Sequence, residues 1–270
     1  MNGTVEHPAD PELTALINGL RKTARDRVFA VTYGGRRLWV KTAGMPRLRS
    51  AVLMQRAIAT LFRLPILLPP RNQTGALGLA AEAAAIRTLA QADLPVPAVI
   101  ACSGQWLVLS DAGEALEPRL NAATDAAERW RLIAEAGALL CRLHAAGHWH
   151  GGAQIRNFSL SDGRPGLLDF EDHTLPGMTL AERQGRDLLL FLYSLVRYDR
   201  GTVEPQLPRI AAAMLREAMP DTRNAIRRLR RRMAWLLTLA RWLAPYAGRD
   251  VRQAAAADAA IGAALAQYVD

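Results

Sequence analysis

Residues 150–157 read His150-Gly151-Gly152-Ala153-Gln154-Ile155-Arg156-Asn157, and twelve residues after the asparagine comes Asp169-Phe170-Glu171. Between them, Phe158–Leu160 and Gly166–Phe170 have the composition of short strands. Asp162-Gly163 is a tight-turn pair, so a hairpin is predicted. That hairpin would bring the Asn157 amide carbonyl and the Asp169 carboxylate together from neighbouring strands. Two hard oxygen ligands side by side suit a divalent cation such as Mg²⁺. The plainer reading makes Asp169 a strand-end residue and Asn157 a turn residue.

Upstream of this stretch, Asp125–Ala146 is a strong helical pattern, with Trp130, Ile133, Leu140 and Leu143 among its apolar positions. Ala98–Ala101 and Trp106–Ser110 read as strands joined by a turn at Ser103-Gly104. Gly78–Gln91 is an Ala-rich helix stopped by Leu94-Pro95-Val96-Pro97. Arg27–Tyr33 and Arg37–Thr42 form a strand pair around Gly34-Gly35. Downstream, helical patterns dominate from Leu180 to the end. The order predicts an α+β protein with a small β-rich lobe over residues 1–110 and a larger α-rich lobe over 111–270.

The 270 residues carry 34 Lys+Arg and 25 Asp+Glu, a formal net charge of +9, and half the chain is hydrophobic. Such a chain can bury a sizeable core, which excludes intrinsic disorder. Cys102 and Cys141 match no metal or redox spacing, and two thiols suggest a reducing compartment. No basic start followed by an apolar stretch marks a signal peptide, and no run of 18 apolar residues marks a membrane span. A cytoplasmic protein is expected, soluble or peripheral on the cytoplasmic face of the inner membrane.

The charge is concentrated. Thr42–Ala81 holds five arginines and no acid, and Asp221–Asp270 holds nine arginines against four aspartates. The remaining residues sum to −1, from 20 basic and 21 acidic side chains. The first segment, an apolar insertion over residues 43–78, contains a predicted helix at Arg47–Arg63. Its Arg49, Arg56 and Arg63 are seven apart and form one stripe, an arrangement suited to an anionic membrane surface or to a solvated helix edge. In the second, Arg227, Arg228, Arg230, Arg231 and Arg232 accompany an apolar stripe at Ile226, Leu229, Met233, Leu236, Ala240 and Leu243. Nucleic acid is disfavoured as a partner, because no aromatics are interleaved with the basic run.

Only two lysines, Lys22 and Lys41, stand among 32 arginines. A compact ammonium at the end of the strand Leu38-Trp39-Val40-Lys41 can meet phosphate oxygens as a point charge. With it, the ordered pieces resemble the protein-kinase-like superfamily. His150 to Asn157 resembles the catalytic loop and Asp169-Phe170 the metal site. Lys41 resembles the phosphate-binding lysine, and Glu82 in Leu79-Ala80-Ala81-Glu82-Ala83 its helix partner. Trp106 to Asp111 and Gly113 resemble the adenine-binding strand and hinge. Leu139 to Gly147 resembles the helix entering the catalytic loop, and Gly185-Arg186-Asp187 the helix that anchors it. The likeness covers residues 23–198 and is nearer to lipopolysaccharide-core, Kdo-type, choline-type and aminoglycoside-type kinases than to eukaryotic protein kinases.

The resemblance implies a bilobal ATP-dependent phosphotransferase, with Lys41, Glu82, Asp111 and Gly113 serving the nucleotide and Asn157 and Asp169 holding Mg²⁺. Its expected acceptor is a hydroxyl on a cell-envelope sugar, a lipid-linked group or a small molecule. Two departures stand against turnover. Gly152 occupies the place of the catalytic aspartate, and no rotamer of glycine accepts a proton. No Gly-x-Gly-x-x-Gly precedes Lys41, so Gly19–Arg27 would have to cover the phosphates, with Arg21, Lys22 or Arg25 meeting them. His150, Glu171 and Asp172 are the candidate substitute proton acceptors, although a surface turn into His173-Thr174-Leu175-Pro176 explains the acidic pair equally well. A pseudokinase that binds nucleotide and regulates a partner, and a membrane-surface adaptor without nucleotide, are the rival readings.

Overall fold

A computed structural model describes residues 10–22, 24, 26–43, 75–175, 177–199, 204–243 and 249–268. The described residues form a mixed α+β fold, mostly helical, with two small antiparallel sheets. Helix α1 (Pro11–Leu20) starts on an Asp10 cap that accepts from the Glu12 N–H, with proline in its first turn. Strands β1 (Val28–Tyr33) and β2 (Arg36–Thr42) pair antiparallel with Tyr33 opposite Arg36, leaving Gly34-Gly35 as a two-residue turn. Helix α2 (Gly75–Gln91) follows, then β3 (Val99–Cys102) and β4 (Trp106–Ser110). The order across this sheet is β1-β2-β4-β3.

Period-two alternation sorts the sheet's two faces. Val31, Leu38, Val40, Trp106 and Val108 point to one side and pack on Leu13 and Ile17 of α1. Leu107 points to the other side, where Leu79 and Ala83 of α2 cover it. Lys41 is paired with Leu107 in the β2–β4 register and so shares the face beneath α2.

A second sheet joins β5 (Glu114–Ala115), β6 (Phe158–Ser161) and β7 (Arg164–Leu167) in that order. Between β5 and β6 run helices α3 (Leu116–Ala122) and α4 (Ala126–Ala145). Four further helices follow among the described residues: α5 (Leu180–Leu195), α6 (Leu207–Glu217), α7 (Pro220–Leu243) and α8 (Arg249–Leu265). Their apolar faces meet in one large core containing Ile133, Leu140, Leu143, Phe158, Phe191, Leu195, Met214 and Ile261.

The second hairpin differs from its expected form. β7 ends at Leu167 rather than at Phe170, and Asn157 lies in a 3₁₀ turn, Ile155–Asn157, rather than in a strand. The reason is backbone geometry: Asp169 has φ of 60°, a left-handed conformation that no strand accommodates. Elsewhere the strand and helix limits fall within three residues of those expected. Helix α1, strand β5 and helix α3 were not anticipated.

No helix among the described residues is long and apolar enough to cross a membrane. The expected helix at 47–63, with Arg49, Arg56 and Arg63, lies outside the described residues, as do Arg25 and the side chains of Leu236, Ala240 and Leu243. In α7, Ile226 and Leu229 are buried as the stripe requires, and Arg230 pairs with Asp258 of α8.

Candidate functional site

Lys41 is the centre of a charged cluster between the first sheet, α2 and the segment after β7. Its Nζ lies 2.8 Å from Glu82 Oε1, 2.8 Å from Asp169 Oδ1 and 2.6 Å from Glu171 Oε1. Glu82 sits between Leu79 and Ala83 on the face of α2 that packs against the sheet, which aims its carboxylate at Lys41. That carboxylate is only 2% exposed. Burial pushes its carboxyl pKa up, against the opposing pull of the Lys41 charge. Glu82 also accepts from the Phe170 N–H at 3.3 Å, so α2 holds the Asp169–Glu171 segment directly.

Asp169 differs from Glu82 in exposure, with 48% of its side chain open to solvent. Burial alone would raise its carboxyl pKa, but the Lys41 ammonium outweighs that and holds it below the usual carboxylate range. A non-glycine residue with left-handed φ is costly and persists where surrounding contacts impose it. Here the Lys41 ion pair on one side and the Phe170–Glu82 bond on the other fix the bend. Glu171 is shared between Lys41 and Arg27, the residue just before β1. Counted as ionised, two cations face three carboxylates, which leaves one negative charge in the cluster.

Asn157 stands behind this group. Its Nδ2 donates to the Gly152 carbonyl at 2.7 Å, which leaves the amide oxygen as its ligating atom. Its own carbonyl accepts from Leu168 N–H at 2.9 Å and so ties the 3₁₀ turn to the residue before Asp169. Among the described residues, no group of three or more His, Cys, Asp or Glu could by itself hold a metal ion. A carboxylate and an amide oxygen are hard donors of the kind Mg²⁺ would take. Magnesium takes one or two protein oxygens and completes its octahedron with water and substrate phosphates.

The loop 150–152 is held from behind by α5. A capping box between Thr179 and Glu182 sets the start of that helix. Asp187, fully buried, then accepts from the His150 N–H at 2.6 Å and the Gly151 N–H at 2.8 Å, and meets His144 Nε2 at 3.2 Å. One turn earlier, Gln184 donates to the carbonyls of His144 and His148, and Thr222 of α7 donates to its amide oxygen. Backbone donors and acceptors of the loop are thus met by side chains from one helix face.

His150 itself is fully buried, with its ring 4.8 Å from that of Phe170 and 6.2 Å from that of Phe158. Burial holds its imidazole pKa below the ordinary value, so the ring is neutral and serves the core. Gly151 has φ of +91°, and a Cβ there would lie 2.6 Å from the Asp172 carbonyl carbon and 2.9 Å from His173 Cα. Only glycine fits.

The remaining expected site residues are placed as follows. Asp111 accepts from Trp39 Nε1 at 3.0 Å, beside the end of β4. At Gly113 a Cβ would lie 2.8 Å from the Leu160 carbonyl carbon, so glycine lets β5 approach β6. The segment from Gly19 to Arg27 joins the end of α1 to β1. Arg21 in it donates to Gln105 at 2.5 Å, on the β3–β4 turn, and among its described residues Arg27 is brought to the Lys41 cluster. Arg27 was not among the expected phosphate contacts; only its position immediately before β1 marks it in the sequence.

No protein-family model matches this chain, and no curated protein matches it. Among solved structures, the complex of Rv3197 with erythromycin from Mycobacterium tuberculosis is similar to it at 23% identity, with a TM-score of 0.34. The alignment covers 70% of this chain and 56% of that one, so this chain spans little more than half of that protein's length.

Proposed function

We propose that this chain is a bilobal, kinase-like phosphotransferase that binds ATP with Mg²⁺ and transfers a phosphoryl group to a hydroxyl. The observation that carries this reading is the Lys41 ammonium, held 2.8 Å from both a buried Glu82 and a half-exposed Asp169. A cation fixed on one side and loosely satisfied on the other can exchange a carboxylate for phosphate oxygens. Lys41 orients the α- and β-phosphates, and Glu82 keeps its ammonium in place. Asp169 and the Asn157 amide oxygen hold the metal, which supplies neutralisation of the polyphosphate charge. Asp111 and Gly113 lie at the hinge where adenine is read. Because phosphoryl transfer passes through a loose transition state, positioning by these groups supplies most of the acceleration.

The acceptor class proposed is a cell-envelope sugar, a lipid-linked group or a small molecule. The two arginine-rich segments suit an anionic surface, and the location proposed is the cytoplasm or, peripherally, the cytoplasmic face of the inner membrane. One observation favours a second reading, a pseudokinase that binds nucleotide and regulates a partner. Gly152 has no side chain with which to take the acceptor's proton.

Thermal unfolding with ATP, with Mg²⁺ and with both tests the first claim. Ligand at about a hundred times its Kd stabilises by about 2.7 kcal/mol, a rise of roughly 5–10 °C for a chain of this size. Asp169→Asn should keep the parent's unliganded melting temperature within a few degrees and lose the Mg²⁺-dependent part of the rise. No stabilisation of the parent by ATP with Mg²⁺ at millimolar concentration would sink the nucleotide reading.

A further inference from the structure

If the site transfers phosphoryl groups, some group must take the proton of the attacking hydroxyl. The candidates within it are few. Glu82 is buried on Lys41, Asp169 is the metal-facing carboxylate, and Glu171 is held by Lys41 and Arg27. His150 is sealed in the core.

Asp172 remains, and its position is informative. A Cβ placed on Gly152 would lie 3.3 Å from Asp172 Oδ2, 3.5 Å from Asp172 Cβ and 3.5 Å from Asn157 Nδ2. The Asp172 carboxylate therefore occupies the space into which a side chain at position 152 would project, beside the Asn157 amide. The 3₁₀ turn Glu171–His173 carries it there. That turn is fixed on both sides: His173 N–H donates to the Phe170 carbonyl at 3.1 Å, and its carbonyl accepts from Trp149 Nε1 at 2.8 Å. The His173 ring stacks on Trp149 with centroids 4.4 Å apart. The two glycines complete the fit. Gly151 lets the backbone of the turn approach the loop, and Gly152 leaves room for its carboxylate.

We propose that Asp172 is the proton acceptor of this site, its carboxylate delivered in front of Gly152 by the turn after Asp169. The proposal rests on the phosphotransfer reading and names the residue that reading lacks. In the step, the acceptor oxygen bonds to the γ-phosphorus while the bond from that phosphorus to the β,γ-bridging oxygen breaks. The electron pair leaves on the nucleoside diphosphate, and the acceptor's O–H proton passes to Asp172.

Three proteins test this: the parent, Asp172→Asn, and the exchange variant Gly152→Asp/Asp172→Ala. Each is measured for melting temperature with and without ATP and Mg²⁺. Each is also measured for phosphate release from ATP to water and phosphate transfer to a lipopolysaccharide fraction. Asp172→Asn should keep the nucleotide-dependent rise in melting temperature and lose turnover about 10²–10⁴-fold. The exchange variant should recover at least about tenfold of that loss, since it restores a carboxylate to the same space. If Asp172 only supports the turn, Asp172→Asn loses the nucleotide-dependent rise together with turnover, and the exchange does not help. A parent that binds ATP with Mg²⁺ yet moves no phosphate to either acceptor also overturns the assignment. Absence of any nucleotide-dependent rise removes the phosphotransfer reading itself, and Asp172's role with it.

Discussion

Lys41→Met keeps an unbranched chain of similar length on β2 and deletes the cation. Glu82, 2% exposed, then keeps, among the described residues, the Phe170 N–H at 3.3 Å as its partner. Removing one member of a buried pair costs about 3–5 kcal/mol, because the other charge is left uncompensated. Asp169 and Glu171 add little, since both are partly in water and exposed pairs contribute less than about 1 kcal/mol. At roughly 2–4 °C per kcal/mol, the variant should melt about 6–20 °C below the parent near neutral pH. The penalty should depend on pH in a definite direction. Without Lys41, burial raises the folded-state pKa of Glu82 above its unfolded value, so the folded variant binds a proton more readily. The penalty is then smallest below the ordinary carboxyl range and grows as pH rises through the folded pKa. Thermal and urea unfolding at about pH 5 and about pH 7, followed by circular dichroism, measures both effects. Adding Glu82→Gln to Lys41→Met should recover most of the loss at pH 7. A cost below about 1 kcal/mol, or a double variant no more stable than the single, refutes the buried pair as the organiser of this cluster.

Other consequences are measurable on stability alone. Asp187→Ala strands the buried His150 and Gly151 N–H groups, each worth about 1–3 kcal/mol, and a urea-unfolding loss under about 1 kcal/mol would contradict its anchoring role. Gly151→Ala combines left-handed φ with a collision against the Asp172 carbonyl. It should cost at least about 1–3 kcal/mol in thermal unfolding, and a neutral result would remove the fitted approach of the 3₁₀ turn. His173 has its pKa lowered to about 4, chiefly by burial, so its neutral form stabilises the fold. That contribution is complete above the ordinary histidine value near 6.5 and is lost as pH falls from there toward 4. Stability measured across that window should fall less steeply in His173→Phe than in the parent, and parallel curves would count against the assignment.

Local chemistry explains which parts of this arrangement are legible in the sequence. Lys41 is readable because strand alternation separates it from Val40, and because it is one of two lysines. Asn157 and Asp169 are readable as neighbours because Asp162 and Gly163, both with positive φ, close a two-residue turn. The end of β7 is not. Leu167-Leu168 reads as strand, and the break at Asp169 is imposed by Lys41 and Glu82, which are distant in sequence. Arg27 looks like any residue of a basic stretch until Glu171 is brought beside it. Asp172 and Gly152 are linked only through the folded path of the loop and the turn after Asp169, so the loss at one position and the carboxylate at the other look unrelated. Helix α1 is legible too, since Asp10 and Pro11 mark its start and Leu13, Leu16, Ile17 and Leu20 follow the i, i+3, i+4, i+7 spacing of one helix face.

Lys41, Asp169 and Asn157 are proposed above as a nucleotide and metal site. A crystal structure with Mg²⁺ and a non-hydrolysable ATP analogue tests it most directly. Phosphate oxygens should lie within hydrogen-bond distance of Lys41 Nζ, and Mg²⁺ should sit on the Asp169 carboxylate and the Asn157 amide oxygen at about 2.0–2.1 Å. A nucleotide bound elsewhere, with Lys41 still closed on Asp169 and Glu171, would contradict it.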